Sequence, residues 1–200
     1  MGALQTPEIT MPALLSRIGP SATDMIRADH TRVLALFHRY DIDGSPRRKQ
    51  GLVESISLAL EVHAQIEEEI FYPALRAAGS TLVDKMVGEH DEMRRLIATL
   101  RETDPAIAEY DATFMDLMRE VIHHVADEET AMLPHAEALL RGKLGALGAR
   151  MAARRVPLKA LRAPKMATSA AKAVAPVNMV LLAAGAVAAG VYLFRQRRHG

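Results

Sequence analysis

The 200-residue sequence contains no cysteine. This absence excludes disulfides, thiolate zinc sites, iron–sulfur clusters and cysteine nucleophiles. Any bound metal must therefore be held by nitrogen and oxygen ligands. Because 50% of the residues are hydrophobic and 24% are charged, the composition also excludes a disordered chain and suits one globular domain with additional residues.

Acidic residues are missing from the C-terminal part of the chain. Residues 1–140 hold all 24 Asp and Glu residues against 13 Lys and Arg, whereas residues 141–200 hold 12 Lys and Arg and no acid. The formal net charge of +1 therefore combines an acidic segment with a basic one. We place a domain boundary at residue 140 and expect the two segments to face different partners.

Strand-like alternation is also missing, and apolar spacing with capping residues predicts four helices. They cover residues 22–40, 46–78, 80–102 and 105–140, and Ser21 with Asp24 matches a capping box before the first. The loops between them are short, which favours antiparallel neighbours. The prediction is an all-α, up-down-up-down four-helix bundle over residues 21–140, preceded by an N-terminal extension, residues 1–20.

Histidine and glutamate occupy positions on the apolar stripes of these helices, where Leu or Ile is the ordinary choice. In the second and fourth helices, a His and the Glu four residues later extend a stripe of apolar residues that lie three or four positions apart. The first and third helices each carry one His between apolar residues of the stripe. The six side chains are His30, His63, Glu67, His90, His124 and Glu128.

An internal repeat relates the two halves of the bundle. The pattern H-x3-E-E-x4-P occurs at residues 63–73 and again at residues 124–134, and Asp29-His30 matches Glu89-His90. Residues i and i+4 lie on one face of a helix, so each His and its Glu can reach one centre. The repeat predicts two helical hairpins related by a pseudo-twofold axis.

Four imidazoles and two carboxylates exceed the needs of one metal ion but suit two. Each ion can take two histidines, with Glu67 and Glu128 as bridges and solvent or an oxo or hydroxo group completing the coordination. Nitrogen and oxygen ligands with open positions favour iron, then manganese, over zinc.

With these residues in place, the segment from about residue 22 to residue 140 resembles a hemerythrin-like HHE cation-binding domain. The family's histidines and the first glutamate of each pair bind a non-haem di-iron centre, so the resemblance implies that the six residues are ligands of two iron ions. Oxygen-carrying hemerythrins have a fifth histidine where this sequence has Arg94. The resemblance therefore implies binding, sensing or turnover of dioxygen, hydrogen peroxide or nitric oxide rather than reversible oxygen carriage.

Other readings stay open at this stage. A single histidine on an apolar stripe is more often a core residue than a ligand, so a structural bundle without metal is one alternative. An iron store or sensor without turnover is another, and whether the protein is an enzyme is left open. Glu68 and Glu129 are interpreted as solvated or as orienting the histidines. Asp127 is a candidate seventh ligand, His38 and His123 are interpreted as non-ligands, and Tyr72 as core packing.

The basic tail is predicted to contain a linker, residues 141–176, with short helical pieces interrupted by Pro157, Pro164 and Pro176. Residues 177–194 are uncharged and form a candidate transmembrane or docking helix, followed by a basic tail, residues 195–200. A C-terminal membrane anchor that binds lipid, with the di-iron domain in the cytoplasm, is the favoured reading. The N-terminus lacks a secretory signal pattern. Binding of nucleic acid by the linker is the least favoured interpretation, because this interpretation rests on charge alone.

Overall fold

The computed structural model describes residues 19–173, and within this range it contains helices and no strand. The all-helical fold expected from the sequence is confirmed. The α-helices are α1 Ala22–Phe37, α2 Pro46–Ile66, α3 Tyr72–Ala77, α4 Val83–Glu102, α5 Ala108–Asp127, α6 Leu133–Leu139 and α7 Leu144–Ala173. Two π-helical turns, Glu67–Phe71 and Glu128–Met132, join α2 to α3 and α5 to α6.

The helix ends follow local sequence signals. Ser21 and Asp24 form the predicted capping box, since the Ser21 hydroxyl accepts the Asp24 N–H at 3.2 Å and the Asp24 carboxylate accepts the Ser21 N–H at 3.1 Å. Ser45 caps α2, whose first residue is Pro46. Gly79 and Gly142 follow the ends of α3 and α6 with φ of 88° and 82°, a conformation that favours glycine.

Each π-helical turn ends two residues before a proline. The N–H of Tyr72 bonds to the carbonyl of Glu67, and the N–H of Leu133 bonds to the carbonyl of Glu128, so both bonds span five residues. Pro73 and Pro134 lack an N–H, and the proline ring clashes with the carbonyl four residues back in a regular α-helix. A wider turn accommodates the proline and lets the helix continue. Both π-helical turns begin at the first glutamate of the repeated Glu-Glu pair.

Two apolar clusters lie along the helices, one on each side of the histidines. On α1, Ile26 belongs to one cluster and Val33 to the other, with His30 between them. On α2, Leu60 belongs to one cluster and Ile66 to the other, with His63 between them. The polar side chains therefore form a layer across the bundle with apolar side chains on both sides.

Helix α7 packs along α2 and α1, and its basic side chains face the acidic bundle. Arg155 forms a two-pronged ion pair with Asp29, and Arg154 Nε lies 2.5 Å from Glu69 Oε2. The expectation that the basic and acidic segments face different partners is therefore wrong for this part of the chain, because the opposite charges meet within one molecule.

The structure also differs from the prediction of a basic linker with short helical pieces over residues 141–176. Leu144–Ala173 is one helix of 30 residues that contains Pro157 and Pro164. Leu147, Met151 and Leu158 are buried in the apolar cluster around Ile26. Their burial, together with the ion pairs, offsets the cost of about 3 kcal/mol for a proline inside a helix.

The prediction of a membrane anchor is corrected. Among the helices of residues 19–173, none is long and apolar enough to cross a bilayer. The longest, α7, carries seven Lys and Arg residues, and such side chains are costly in hydrocarbon. The segment on which the prediction was placed, residues 177–194, lies outside the described range, as do residues 1–18 and 195–200.

The contact between α2 and α7 depends on Gly51. A Cβ at this position would lie 2.6 Å from the Ala173 nitrogen and from the Ser169 carbonyl oxygen. We expect Gly51→Ala to lower the free energy of unfolding by about 1–3 kcal/mol, because the added methyl group overpacks the contact. Urea denaturation followed by circular dichroism measures this change.

Gly88→Ala is the matched control for this substitution. Gly88 lies on an exposed face of α4 and nothing is within 4 Å of its Cβ position, so the same change should stabilise the chain by about 0.5–1 kcal/mol. If Gly51→Ala stabilises the protein as Gly88→Ala does, the close packing of α7 on α2 is contradicted.

Candidate metal centre

Two fully buried glutamates form the middle of the polar layer. Glu67 Oε2 lies 3.5 Å from His63 Nε2 on the same helix and 3.4 Å from His90 Nε2 on α4. Each carboxylate is joined by one histidine four residues before it and by one histidine from the other half of the repeat. The i and i+4 spacing on a helix makes the first contact, and packing of the two halves makes the second.

Glu128 repeats this arrangement. Its Oε2 lies 3.7 Å from His124 Nε2 and 3.2 Å from His30 Nε2 on α1. The Nε2 atoms of His90 and His124 are 3.3 Å apart. All four histidines are at most 5% exposed, so the structure brings the six predicted side chains together in a site closed to bulk solvent.

The ligand atoms of the six residues fall into two overlapping groups. In each group the atoms lie within 4.8 Å of one another, which suits a shared metal ion. His63 and His124 belong to both groups. One group is His30, His63, His124 and Glu128, and the other is His63, Glu67, His90 and His124.

An outer ring of carboxylates faces the second nitrogen of every histidine. Glu129 faces His30 Nδ1 and Glu68 faces His90 Nδ1, each at 2.9 Å. Such contacts fix the ring orientation and direct Nε2 inward. Of the two readings given to Glu68 and Glu129, the geometry favours the orienting one, and each acts on a histidine of the opposite half.

Two further members of the ring were missed by the sequence analysis. Glu89 Oε2 lies 2.9 Å from His124 Nδ1, and Asp29 Oδ2 lies 3.8 Å from His63 Nδ1. Both residues directly precede a histidine of the repeat, and this position was the sequence signal that could have identified them. Their partners lie on other helices, so the repeat alone does not identify them.

Arg94, which replaces the fifth histidine of the oxygen carriers, has a defined place. Its Nη2 donates to Glu68 Oε1 at 2.5 Å, and the same oxygen faces His90. Arg94 therefore supports the carboxylate that orients His90. Asp127, the candidate seventh ligand, instead pairs with Lys85 at the surface and belongs to neither buried group.

Burial and charge set the protonation of the centre. Burial lowers the pKa of His63 to about 4, so this imidazole is neutral at pH 7 and its nitrogen lone pair is free to bind a metal. Burial, and then the charge of Glu128, raises the pKa of Glu67. Burial also acts to raise the pKa of Glu128, but the close approach of His30 and the charges of the nearby histidines outweigh it and lower the pKa to about 2. The site therefore favours an added positive charge, which would let both carboxylates ionise.

Tyr72 is a site residue that the sequence analysis treated as packing. Its hydroxyl lies 2.9 Å from Glu67 Oε2 and 3.0 Å from Glu128 Oε1, and its ring stacks on His90. Burial and the two carboxylates raise the pKa of Tyr72, so the phenol keeps its proton. The repeat places Leu133 at the matching position, so sequence periodicity offered no reason to select this tyrosine.

The donor atoms fit a bound cation. Within residues 19–173, four buried atoms that point into the layer have no hydrogen-bond partner: His30 Nε2, His63 Nε2, Glu67 Oε1 and Glu128 Oε2. A buried polar atom without a partner costs about 1–3 kcal/mol, and a buried carboxylate costs more. Nitrogen and oxygen lone pairs directed at one point are the chemistry that iron and manganese accept.

Comparison with known proteins identifies related sequences. The hemerythrin HHE cation binding domain model matches residues 21–136. Uncharacterized proteins of Mycobacterium bovis and Mycobacterium tuberculosis are 29% identical to this chain over 141 residues, covering 67% of it and 84% of their own length. A DNA nickase of Nostoc sp. is 31% identical over 110 residues, which cover 54% of this chain but only 31% of the nickase. The chain therefore spans about a third of that relative.

A solved structure shares the fold. The crystal structure of a hemerythrin HHE cation binding domain-containing protein from Mycobacterium kansasii matches 76% of this chain and 99% of its own, with a TM-score of 0.64 and 20% identity. At this identity the match supports the fold alone.

The hydroxyl of Tyr72 is expected to stabilise the buried carboxylates in the metal-free protein. Tyr72→Phe keeps the ring and removes the donor, so the free energy of unfolding should fall by about 2 kcal/mol after chelation. Tyr110→Phe is the control, because Tyr110 is also buried but no hydrogen bond of its hydroxyl is found in the described part of the chain. Equal losses in the two variants, measured by urea denaturation, would contradict the role of the hydroxyl.

Proposed function

The chain belongs to the hemerythrin HHE cation-binding domain family, and from this premise we propose that it is a non-haem di-iron protein that binds, senses or turns over a small oxidant. Dioxygen, hydrogen peroxide and nitric oxide are the candidate ligands. The observation that supports the proposal most strongly is the convergence of four buried imidazole nitrogens and two buried carboxylates in two overlapping groups.

The six residues divide naturally between two ions. His30 and Glu128 lie in one group, Glu67 and His90 lie in the other, and His63 and His124 lie between them. We propose iron, with manganese as the second choice, in an up-down-up-down bundle. Bound iron would supply Lewis acidity and one-electron chemistry, which the side chains of this centre lack.

The space beside the centre limits the size of a ligand. A cavity of about 10 Å³ lies between α2 and α4 and borders His63 and His90. This volume is about the smallest that holds one water molecule, so the cavity favours a small ligand over a large one. Leu60, Met93 and Ile97 contribute apolar side chains to its wall, which Glu61 and Arg94 also line.

Tyr72 holds a proton at the carboxylate pair. Its Oη is within hydrogen-bond distance of Glu67, Glu128 and, at 3.4 Å, His90 Nε2. Because its pKa is raised, this hydroxyl remains a donor at neutral pH and can direct a hydrogen bond toward an oxygen atom in the layer. The name of the Nostoc relative describes a protein of which this chain matches under a third, so we propose no nicking activity.

Metal content tests the first part of the proposal. Protein expressed with ample iron should contain two irons per chain by elemental analysis, and His63→Ala or Glu128→Ala should lose most of it. His135→Ala is the control, since His135 is exposed on α6 and belongs to neither group. Circular dichroism checks that each variant is folded. A wild-type chain that carries no metal would refute the proposal and leave a purely structural bundle.

Reaction with an oxidant tests the second part. Iron-loaded protein mixed with hydrogen peroxide should either consume it repeatedly, which identifies an enzyme, or become oxidised once, which identifies a sensor or store. Absorption spectroscopy and an oxygen electrode follow the two cases. An iron-loaded protein that is unchanged by peroxide, dioxygen and nitric oxide would contradict the proposed function.

A further inference from the structure

We propose that Glu89, His123 and Asp127 form a second metal site at the surface, which shares Glu89 with the outer ring of the buried centre but does not depend on the function proposed above. The three side chains offer one nitrogen and two oxygen ligands, the set that suits a divalent transition metal ion such as Zn²⁺ or Fe²⁺. Water would complete the coordination.

The geometry of the three residues is compact. His123 and Asp127 are four residues apart on α5, and His123 Nε2 lies 3.1 Å from Asp127 Oδ2. Glu89 on α4 places Oε1 4.0 Å from the same nitrogen. The three ligand atoms lie within 4.8 Å of one another, as do those of the buried groups.

Glu89 supplies an independent observation. Its side chain is nine-tenths buried, and its Oε2 faces His124 Nδ1. Its Oε1 faces His123 and has no hydrogen-bond partner in the range 19–173. The Lys85 ammonium approaches this oxygen to 3.7 Å, which is beyond hydrogen-bond distance. A buried carboxylate oxygen without a hydrogen bond is costly, and a cation between Glu89 and His123 would reduce that cost.

The first half of the repeat shows how a buried carboxylate at the position matching Glu89 is compensated. Asp29 is the counterpart of Glu89, and the guanidinium of Arg155 binds both of its oxygens. The counterparts of His123 and Asp127 are Val62 and Ile66, which are buried beside α7. At the first half, α7 therefore provides a cationic side chain and apolar cover, whereas at the second half the matching side chains face solvent beside Lys85.

Lys85 competes with a metal ion for this site. Its ammonium lies 2.6 Å from Asp127 Oδ2 and 3.7 Å from Glu89 Oε1. The side chain is 55% exposed and its ion pairs are weak at a surface, so it can turn into solvent when a metal binds. The lysine should therefore reduce the affinity without blocking the site.

Zinc titration of the full-length, iron-loaded chain tests the proposal. Isothermal titration calorimetry should detect one Zn²⁺ per chain beyond the metal of the centre, while elemental analysis shows that the iron content is unchanged. His123→Ala and Asp127→Asn should weaken this binding by about tenfold or more, since the first removes a ligand and the second replaces a charged carboxylate with a neutral amide. Lys85→Ala should strengthen it severalfold, a gain that damage to the fold cannot produce.

Two controls separate this site from the buried centre. His135→Ala removes an exposed histidine elsewhere and should leave the zinc affinity unchanged. His63→Ala disables the proposed iron centre but should keep the one Zn²⁺ per chain bound at the surface site. If the iron proposal fails, the zinc titration therefore still tests the surface site. The surface site is refuted if wild-type protein binds no additional Zn²⁺, or if His123→Ala binds it as tightly as the wild type.

Discussion

The buried carboxylates Glu67 and Glu128 require compensation, and much of the bundle provides it. Both lie in a layer with apolar clusters on either side, where an isolated negative charge is costly. Histidines from α1, α2, α4 and α5 face them, and the Tyr72 hydroxyl lies between them. An outer ring of carboxylates orients the histidines. Arg94 and Arg155 then bind members of that ring. Acidic and basic side chains therefore alternate from the centre to the surface, and each histidine contacts a carboxylate on both sides.

The sequence predicted the parts of the site that depend on helical spacing. His63 with Glu67 and His124 with Glu128 share a face because they are four residues apart, and the repeat indicated that two such pairs meet. Asp29, Glu89 and Tyr72 depend on which helices pack together and in what rotation. Spacing along one helix contains no such information, so these residues became visible only in the structure. The π-helical turns could not be predicted from the sequence, since a proline indicates a disturbance of a helix but not the form it takes.

The basic C-terminal segment shows a different limit of sequence reasoning. A change in net charge along a chain marks two unlike segments, but it does not say whether their partner is another molecule or each other. Here Arg154 and Arg155 bind Glu69 and Asp29, and Gly51 allows the helices to approach closely. The same segment also covers the first half of the repeat, whereas the surface around Glu89 has His123 and Lys85 in place of such a cover.

Tyr72 has a leucine as its counterpart in the second half, so the near-twofold arrangement of histidines and glutamates encloses an unsymmetrical interior. One hydroxyl adjoins His90, whereas no such group adjoins His30 among the residues described. The two halves of the polar layer therefore differ in local dipole and in access to a proton. The duplicated scaffold places a proton donor in one half and an apolar side chain at the matching position of the other.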